Sequence, residues 1–202
     1  MKPRFSGKRV AVLISGRGSN LGALIAAQDS SYKIILVISN VEGAGGLEIA
    51  EAAGIATLVI PHAGKTREAF DAEMDAALRA ADVELVALAG FMRILSDGFA
   101  RGWEGKLINI HPSLLPAYKG TRVHERVIEA KEATSGASVH FVVPELDAGP
   151  VLAQASVPVH PSDTPETLAE RVLAVEHELY PEALKLLASG KVRLETGLAV
   201  FA

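Results

Sequence analysis

Arg9-Val-Ala-Val-Leu-Ile-Ser15, followed directly by Gly16-Arg-Gly18-Ser19-Asn20, is the stretch on which the fold turns. Its first half is an apolar run of strand length, and Leu21 to Ala27 beyond the glycines reads as a helix. A strand without polar alternation belongs in a sheet covered on both faces. The same unit recurs outward along the chain. Lys33 to Ser39 reads as a second buried strand, Leu47 to Ala53 as a short helix and Ile55 to Ile60 as a third strand. Thr66 to Ala81 has helical spacing, with Phe70, Met74, Ala77 and Leu78 on one face and Arg67, Asp71 and Asp75 nearer another. Leu85 to Ala89 and Leu107 to Ile110 complete five β segments. This alternation predicts the α/β class: a Rossmann-like three-layer sandwich around a mostly parallel sheet.

After Pro116 the pattern changes. Val123 to Lys131 looks helical, and Ala137 to Val143 and Val151 to Val159 are β-rich segments flanking a turn, Glu145-Leu-Asp147-Ala-Gly149-Pro150. They predict an antiparallel extension of the sheet. Thr164-Pro165 suits a helix start, Thr as N-cap and Pro in the first turn. Leu168, Val172, Val175 and Leu179 continue it as one apolar stripe of a long C-terminal helix, which Pro181 should kink or end. No repeat, low-complexity tract or flexible linker interrupts the chain, so residues 1–202 read as a single domain.

Composition narrows the function. Of the 202 residues 49% are hydrophobic and only 5% aromatic, which calls for an aliphatic core. A net charge of −4 gives no electrostatic case for nucleic acid. The absence of cysteine excludes disulfides, thiolate catalysis and cysteine zinc sites, and fits a reducing cytoplasm. The basic start, Met1 to Arg4, precedes no long apolar stretch, and no run approaches the roughly 18 residues of a membrane helix.

The glycine loop suits an anion, because glycines admit close backbone approach and a helix start offers free N–H groups. Ser19 or Asn20 acting only as a helix N-cap is the equally open alternative. Gly22 falls one residue beyond the G-x-G-x-x-G spacing, and Ser39-Asn40 ends the second strand without the ribose-binding acid, so a single phosphate is favoured over a dinucleotide. No G-x-x-x-x-G-K-[ST] motif is present either.

The chemistry concentrates elsewhere. In Asn109-Ile-His111-Pro112 the amide and the imidazole sit two apart on a strand end and therefore project from the same face. Pro112 should stop the strand. Asp147, from the later turn, can be the acidic partner that keeps the imidazole charged. Such a set suits reaction at a carbonyl. The plainer reading is a capped strand end and an Asx turn before Gly149. His62, His124, His140, His160 and His177 read as structural or solvated. Without H-E-x-x-H or cysteine, no metal set stands out, and without G-x-S-x-G neither does an acyl-serine.

ISGRGSNL near the start, LAGFMRIL at 88–95, NIHPSLLPAYKG at 109–120, SVHFVVPELDAGPVL at 138–152 and EHELYP at 176–181 together resemble the formyltransferase family that uses 10-formyltetrahydrofolate. The resemblance covers essentially the whole chain. It implies transfer of the formyl group to the glycyl amine of 5'-phosphoribosylglycinamide, by direct amine attack, within de novo purine synthesis. It implies Asn109, His111 and Asp147 as the catalytic trio, with no metal. Gly18, Ser19, Asn20 and Glu176 would hold the ribonucleotide. Arg67, Met92, Arg93, Ile94, Leu95, Asn109, Val143, Pro144, Glu145, Leu146 and Asp147 would line the folate site. Residues 1–112 would then form the phosphate-binding part, and 113–202 the folate-side loop, hairpin and C-terminal helix. Two small molecules are the expected partners, with no nucleic acid or membrane, in a monomer or homodimer. The loop from Lys119 to Lys131 departs most from the family pattern, with Arg122 and Val123 where a His and a Thr can occur. A related folate deformylase would carry an N-terminal regulatory domain, for which a first strand near Arg9 leaves no room. A tRNA-directed relative would add a C-terminal domain, and a mere binding module would have no need of the trio.

Overall fold

Strand β1 (Lys8–Ile14) splits its side chains between two cores: Val10, Val12 and Ile14 enter one, Ala11 and Leu13 the other. This period of two is what a strand buried on both faces must show. The computed structural model describes residues 6–202, so the basic start at Met1 to Arg4 lies outside the described residues. β2 (Tyr32–Ser39), β3 (Ala56–Val59), β4 (Leu85–Leu88) and β5 (Leu107–His111) run parallel to β1, and β6 (Thr134–Phe141) and β7 (Val151–Pro158) add antiparallel. The order is β3-β2-β1-β4-β5-β6-β7. The chain leaves β1 toward β2 and later returns on its other side with β4, so the order reverses between these two strands. At such a switch point adjacent connections part to opposite faces and leave a crevice at the carboxyl ends.

Helices complete three layers. α1 (Ser19–Ala26), α2 (Gly45–Ala52), α5 (Val123–Glu129) and α6 (Pro165–Ala188) cover one face, contributing Leu24, Ala50, Val127 and Leu184 among others. α3 (Arg67–Ala80) and α4 (Asp97–Gly102) cover the other through Phe70, Met74, Leu78 and Phe99. Among the described residues no helix is long and apolar enough to cross a membrane.

Three local features go beyond the local sequence pattern. Asp71 does not face solvent: it is 3% exposed, and its Oδ2 accepts the Ser96 N–H at 2.5 Å. α4, too short for its own periodicity to register in the sequence, is N-capped by Ser96, whose N–H takes that acceptor. Pro181 does not end α6, which continues to Ala188 after a capping box at Thr164 and Thr167. An interior proline costs about 3 kcal/mol. Ala183, Leu184 and Leu187 beyond it are buried, as is Tyr180 just before it, and each large apolar side chain returns roughly 1.5–3 kcal/mol. The Tyr180 hydroxyl also reaches the Leu88 and Ile108 carbonyls at 3.0 and 3.2 Å, tying α6 to β4 and β5. Finally, β8 (Val192–Glu195) and β9 (Leu198–Phe201) form a separate hairpin. Its two-residue turn has φ of 47° at Thr196 and 78° at Gly197. Threonine rarely takes the first of these positions, which hid the turn in the sequence.

Candidate active site

β5 ends at His111, where Pro112 removes the next donor. Asn109 and His111 project together, and pairing with β6 sets Asn109 opposite His140 and His111 opposite Ser138. Asn109 Nδ2 lies 3.2 Å from His140 Nε2, while His140 Nδ1 lies 2.8 Å from the Phe141 carbonyl. A carbonyl only accepts, so Nδ1 carries the proton and Nε2 accepts from the Asn109 amide. Burial holds the His140 pKa below the usual histidine value, against the opposing pull of the Phe141 carbonyl and of Asp147. His140 is therefore a neutral acceptor that orients Asn109.

His111 is 5% exposed. Its Nε2 donates to the Tyr118 carbonyl at 3.0 Å, and its Nδ1 stands 3.5 Å from Asp147 Oδ2. The loop that presents Tyr118 is itself tied down: Ser138 Oγ accepts from Leu115 N at 2.9 Å and donates to the Ser113 carbonyl at 2.6 Å. Asp147 reaches the site from the β6–β7 turn. Its Oδ2 accepts the Gly120 N–H at 2.8 Å, and Oδ1 lies 3.7 Å from His140 Nε2. The carboxylate thus bonds across to a second loop rather than closing an Asx turn. Gly149 permits this course, since a Cβ there would overlap the Phe141 carbonyl. Asn109, His111 and Asp147 converge as the sequence suggests.

They lie on a cleft of about 610 Å³. One wall is the segment Gly90 to Leu95, with Met92 75% and Ile94 56% exposed; the other is Val143 to Asp147. Met92, Arg93, Ile94, Leu95, Val143, Pro144, Glu145 and Leu146 all line it. Arg67 does not. It lines a separate depression with Asp71, Asp75, Arg79 and Ser96, which meets the cleft wall at Leu95–Ser96.

Gly18, Ser19, Asn20 and Glu176 gather outside the cleft, at the carboxyl end of β1. Gly18, with φ 79°, is the N-cap of α1, and no side chain caps the helix, so neither Ser19 nor Asn20 serves that role. The close approach that Gly18 permits is that of α2: a Cβ would overlap Gly46 Cα, and Gly46 N donates to the Gly16 carbonyl at 3.0 Å. Substituting Gly18 would therefore disrupt the loop itself. Asn20 Nδ2 donates to Glu176 Oε2 at 2.7 Å, both side chains being buried. Burial raises the Glu176 pKa, partly opposed by that hydrogen bond. Sequence reasoning missed His140, the Tyr118 carbonyl and the Gly120 amide. His140 could have been found only from the β5–β6 register, which the sequence does not display.

The model of the family described as formyl transferase matches residues 8–184. The trifunctional purine biosynthetic protein adenosine-3 of Bos taurus is 53% identical over 92% of this chain, which spans only 19% of that relative. The chain is 44% identical to the phosphoribosylglycinamide formyltransferase of Escherichia coli, covering 94% of this chain and 92% of the other. The crystal structure of phosphoribosylglycinamide formyltransferase from Anaplasma phagocytophilum superposes with a TM-score of 0.91 at 47% identity, over 98% of this chain and 95% of that one. With this match spanning both the parallel sheet and the Asn109–His111–Asp147 centre, the chain belongs to the formyl transferase family.

Proposed function

We propose that the chain is a phosphoribosylglycinamide formyltransferase, moving the formyl group of 10-formyltetrahydrofolate to the glycyl amine of 5'-phosphoribosylglycinamide. The products are formylglycinamide ribonucleotide and tetrahydrofolate. The observation that carries this reading is His111 held between a carbonyl and a carboxylate, with the Asn109 amide beside it, on an apolar-walled cleft. Relatives bearing that enzyme's name support the choice of substrates.

The amine nitrogen attacks the formyl carbon, forming the new C–N bond while negative charge collects on the formyl oxygen. Asn109 Nδ2 has one proton engaged by His140 and a second left for that oxygen. Nδ1 of His111 stands at ion-pair range from Asp147 without a direct hydrogen bond, so its proton is free to serve the same oxygen. Both ring nitrogens of His111 face oxygen acceptors, and only the imidazolium donates from both. As the bond from carbon to folate N10 breaks, the proton shed by the amine passes to N10, with His111 and Asp147 placed to relay it. The chain has no cysteine and no serine elbow for a covalent intermediate.

Gly18, Ser19 and Asn20, with the free N–H groups of α1, are assigned to the ribonucleotide phosphate, and Glu176 to its ribose hydroxyls. The Met92 to Leu95 wall and Val143 to Asp147 are assigned to the folate, with Arg93 meeting its glutamate carboxylate. Arg67 is assigned to the outer end, past Ser96. The test is incubation with 10-formyltetrahydrofolate, with and without the ribonucleotide. Formyl loss only in the presence of the amine is expected; equal loss in buffer alone would make the protein a hydrolase.

A further inference from the structure

The cleft wall from Gly90 to Leu95 is held from outside the cleft by groups that the proposed chemistry does not use. Met92 N–H donates to Ser15 Oγ at 2.8 Å, and Ser15 Oγ donates to Asn40 Oδ1 at 2.5 Å. Asn40 Nδ2 in turn lies 3.1 Å from His62 Nδ1. An amide nitrogen only donates, so Nδ1 of His62 is the acceptor, and the three bonds run head to tail in one direction. Each link comes from the carboxyl end of a different strand: the wall follows β4, Ser15 follows β1, Asn40 follows β2 and His62 follows β3. A second route joins the same ends. His62 meets Phe70 edge-on at 6.3 Å between ring centroids, and Phe70 stacks on Phe91 at 6.4 Å and 10°. Both routes finish on adjacent wall residues, Phe91 and Met92, which line the cleft, whereas Ser15, Asn40 and His62 do not.

An isolated polar pair at a sheet edge would be solvated and loose. Here Asn40 is only 5% exposed, so each of its amide atoms needs its partner, and a lost partner leaves a buried group unsatisfied. Ser15 also immediately precedes Gly16 of the glycine loop. Loop and wall, at the two strands flanking the switch point, therefore share one hydroxyl.

We propose that Ser15, Asn40 and His62 are positioning residues, a hydrogen-bonded chain that sets the Phe91–Met92 wall and through it the fit of the folate. The proposal rests on the folate reading of the cleft. Two measurements separate its failure from that reading's failure. The first is amide hydrogen exchange at Met92 in the unliganded protein, comparing Ser15→Ala and Asn40→Ala with the parent. Exchange about 10-fold faster at Met92, with the core of β5 unchanged, is expected. Unchanged exchange overturns the chain whatever the protein catalyses.

The second is steady-state kinetics of His62→Leu and His62→Gln. Gln keeps an acceptor for the Asn40 amide and Leu does not. His62→Leu should raise KM for 10-formyltetrahydrofolate about 5-fold, leaving kcat and the ribonucleotide KM within about 2-fold, and His62→Gln should restore it. A merely structural histidine would lower Tm in both variants without that split. Equal rises in both KM values, or a Gln variant as impaired as Leu, would overturn the proposal. Absence of any formyl transfer by the parent would refute the folate reading, and Met92 exchange would still decide the chain.

Discussion

At the scale of single residues, the site is organised by which atoms can accept. His140 faces Asn109 with a lone pair because its other nitrogen is committed to the Phe141 carbonyl. Protonating it would set a donor against a donor. Its folded-state pKa is depressed, chiefly by burial, so the neutral ring is favoured by folding. The sign follows: its stabilising contribution is complete above the unfolded histidine pKa of roughly 6.5 and is lost as pH falls through the lower folded value. His124, also lowered by burial, adds to the same acid limb. Replacing His140 with Gln, which accepts without titrating, should flatten part of the fall of Tm below about pH 6.5. It should also shift the acid side of the kcat profile downward. Melting curves at closely spaced pH values check this, and an unchanged acid limb would mean that His140 is not a coupled group.

At the scale of elements, two loops are delivered to one strand end, and glycine decides whether they fit. The β6–β7 turn passes so close to β6 that a methyl group at Gly149 would occupy the Phe141 carbonyl's place. Gly149→Ala must push the turn outward and carry Asp147 with it. Overpacking of this kind costs about 1–3 kcal/mol, and a displacement near 1 Å at a reacting group costs up to roughly 10²-fold in rate. A fall in kcat of at least about 10-fold is expected, with ribonucleotide binding by calorimetry preserved. Gly22→Ala, in α1 with open space around it, is the control and should be neutral or stabilising by about 0.5–1 kcal/mol. Equal behaviour of the two variants would show that the turn tolerates what the geometry forbids.

At the scale of the whole molecule, the sheet order places everything. β1 and β4 flank the reversal, and their carboxyl ends carry the glycine loop and the Met92 to Leu95 wall. β5, next in line, carries Asn109 and His111. The parallel half was legible in the chain because unbroken apolar strands alternate with amphipathic helices. The pairing of Asn109 with His111 was legible because strand side chains repeat every second residue. What stayed hidden depended on distance in sequence. The His140 role needs the β5–β6 register, and the buried state of Asp71 needs Ser96 from the next helix. The placement of Arg67 outside the cleft follows from how α3 packs against α4, which no local pattern encodes.

The proposed transfer depends on Asn109, His111 and Asp147 together stabilising charge on a formyl oxygen. Single-turnover transfer by Asn109→Ala, with both ligands saturating, tests it most directly. The predicted result is a rate lower by about 10²–10³-fold with the ribonucleotide still bound at near-parent affinity. A rate within a few-fold of the parent would contradict it.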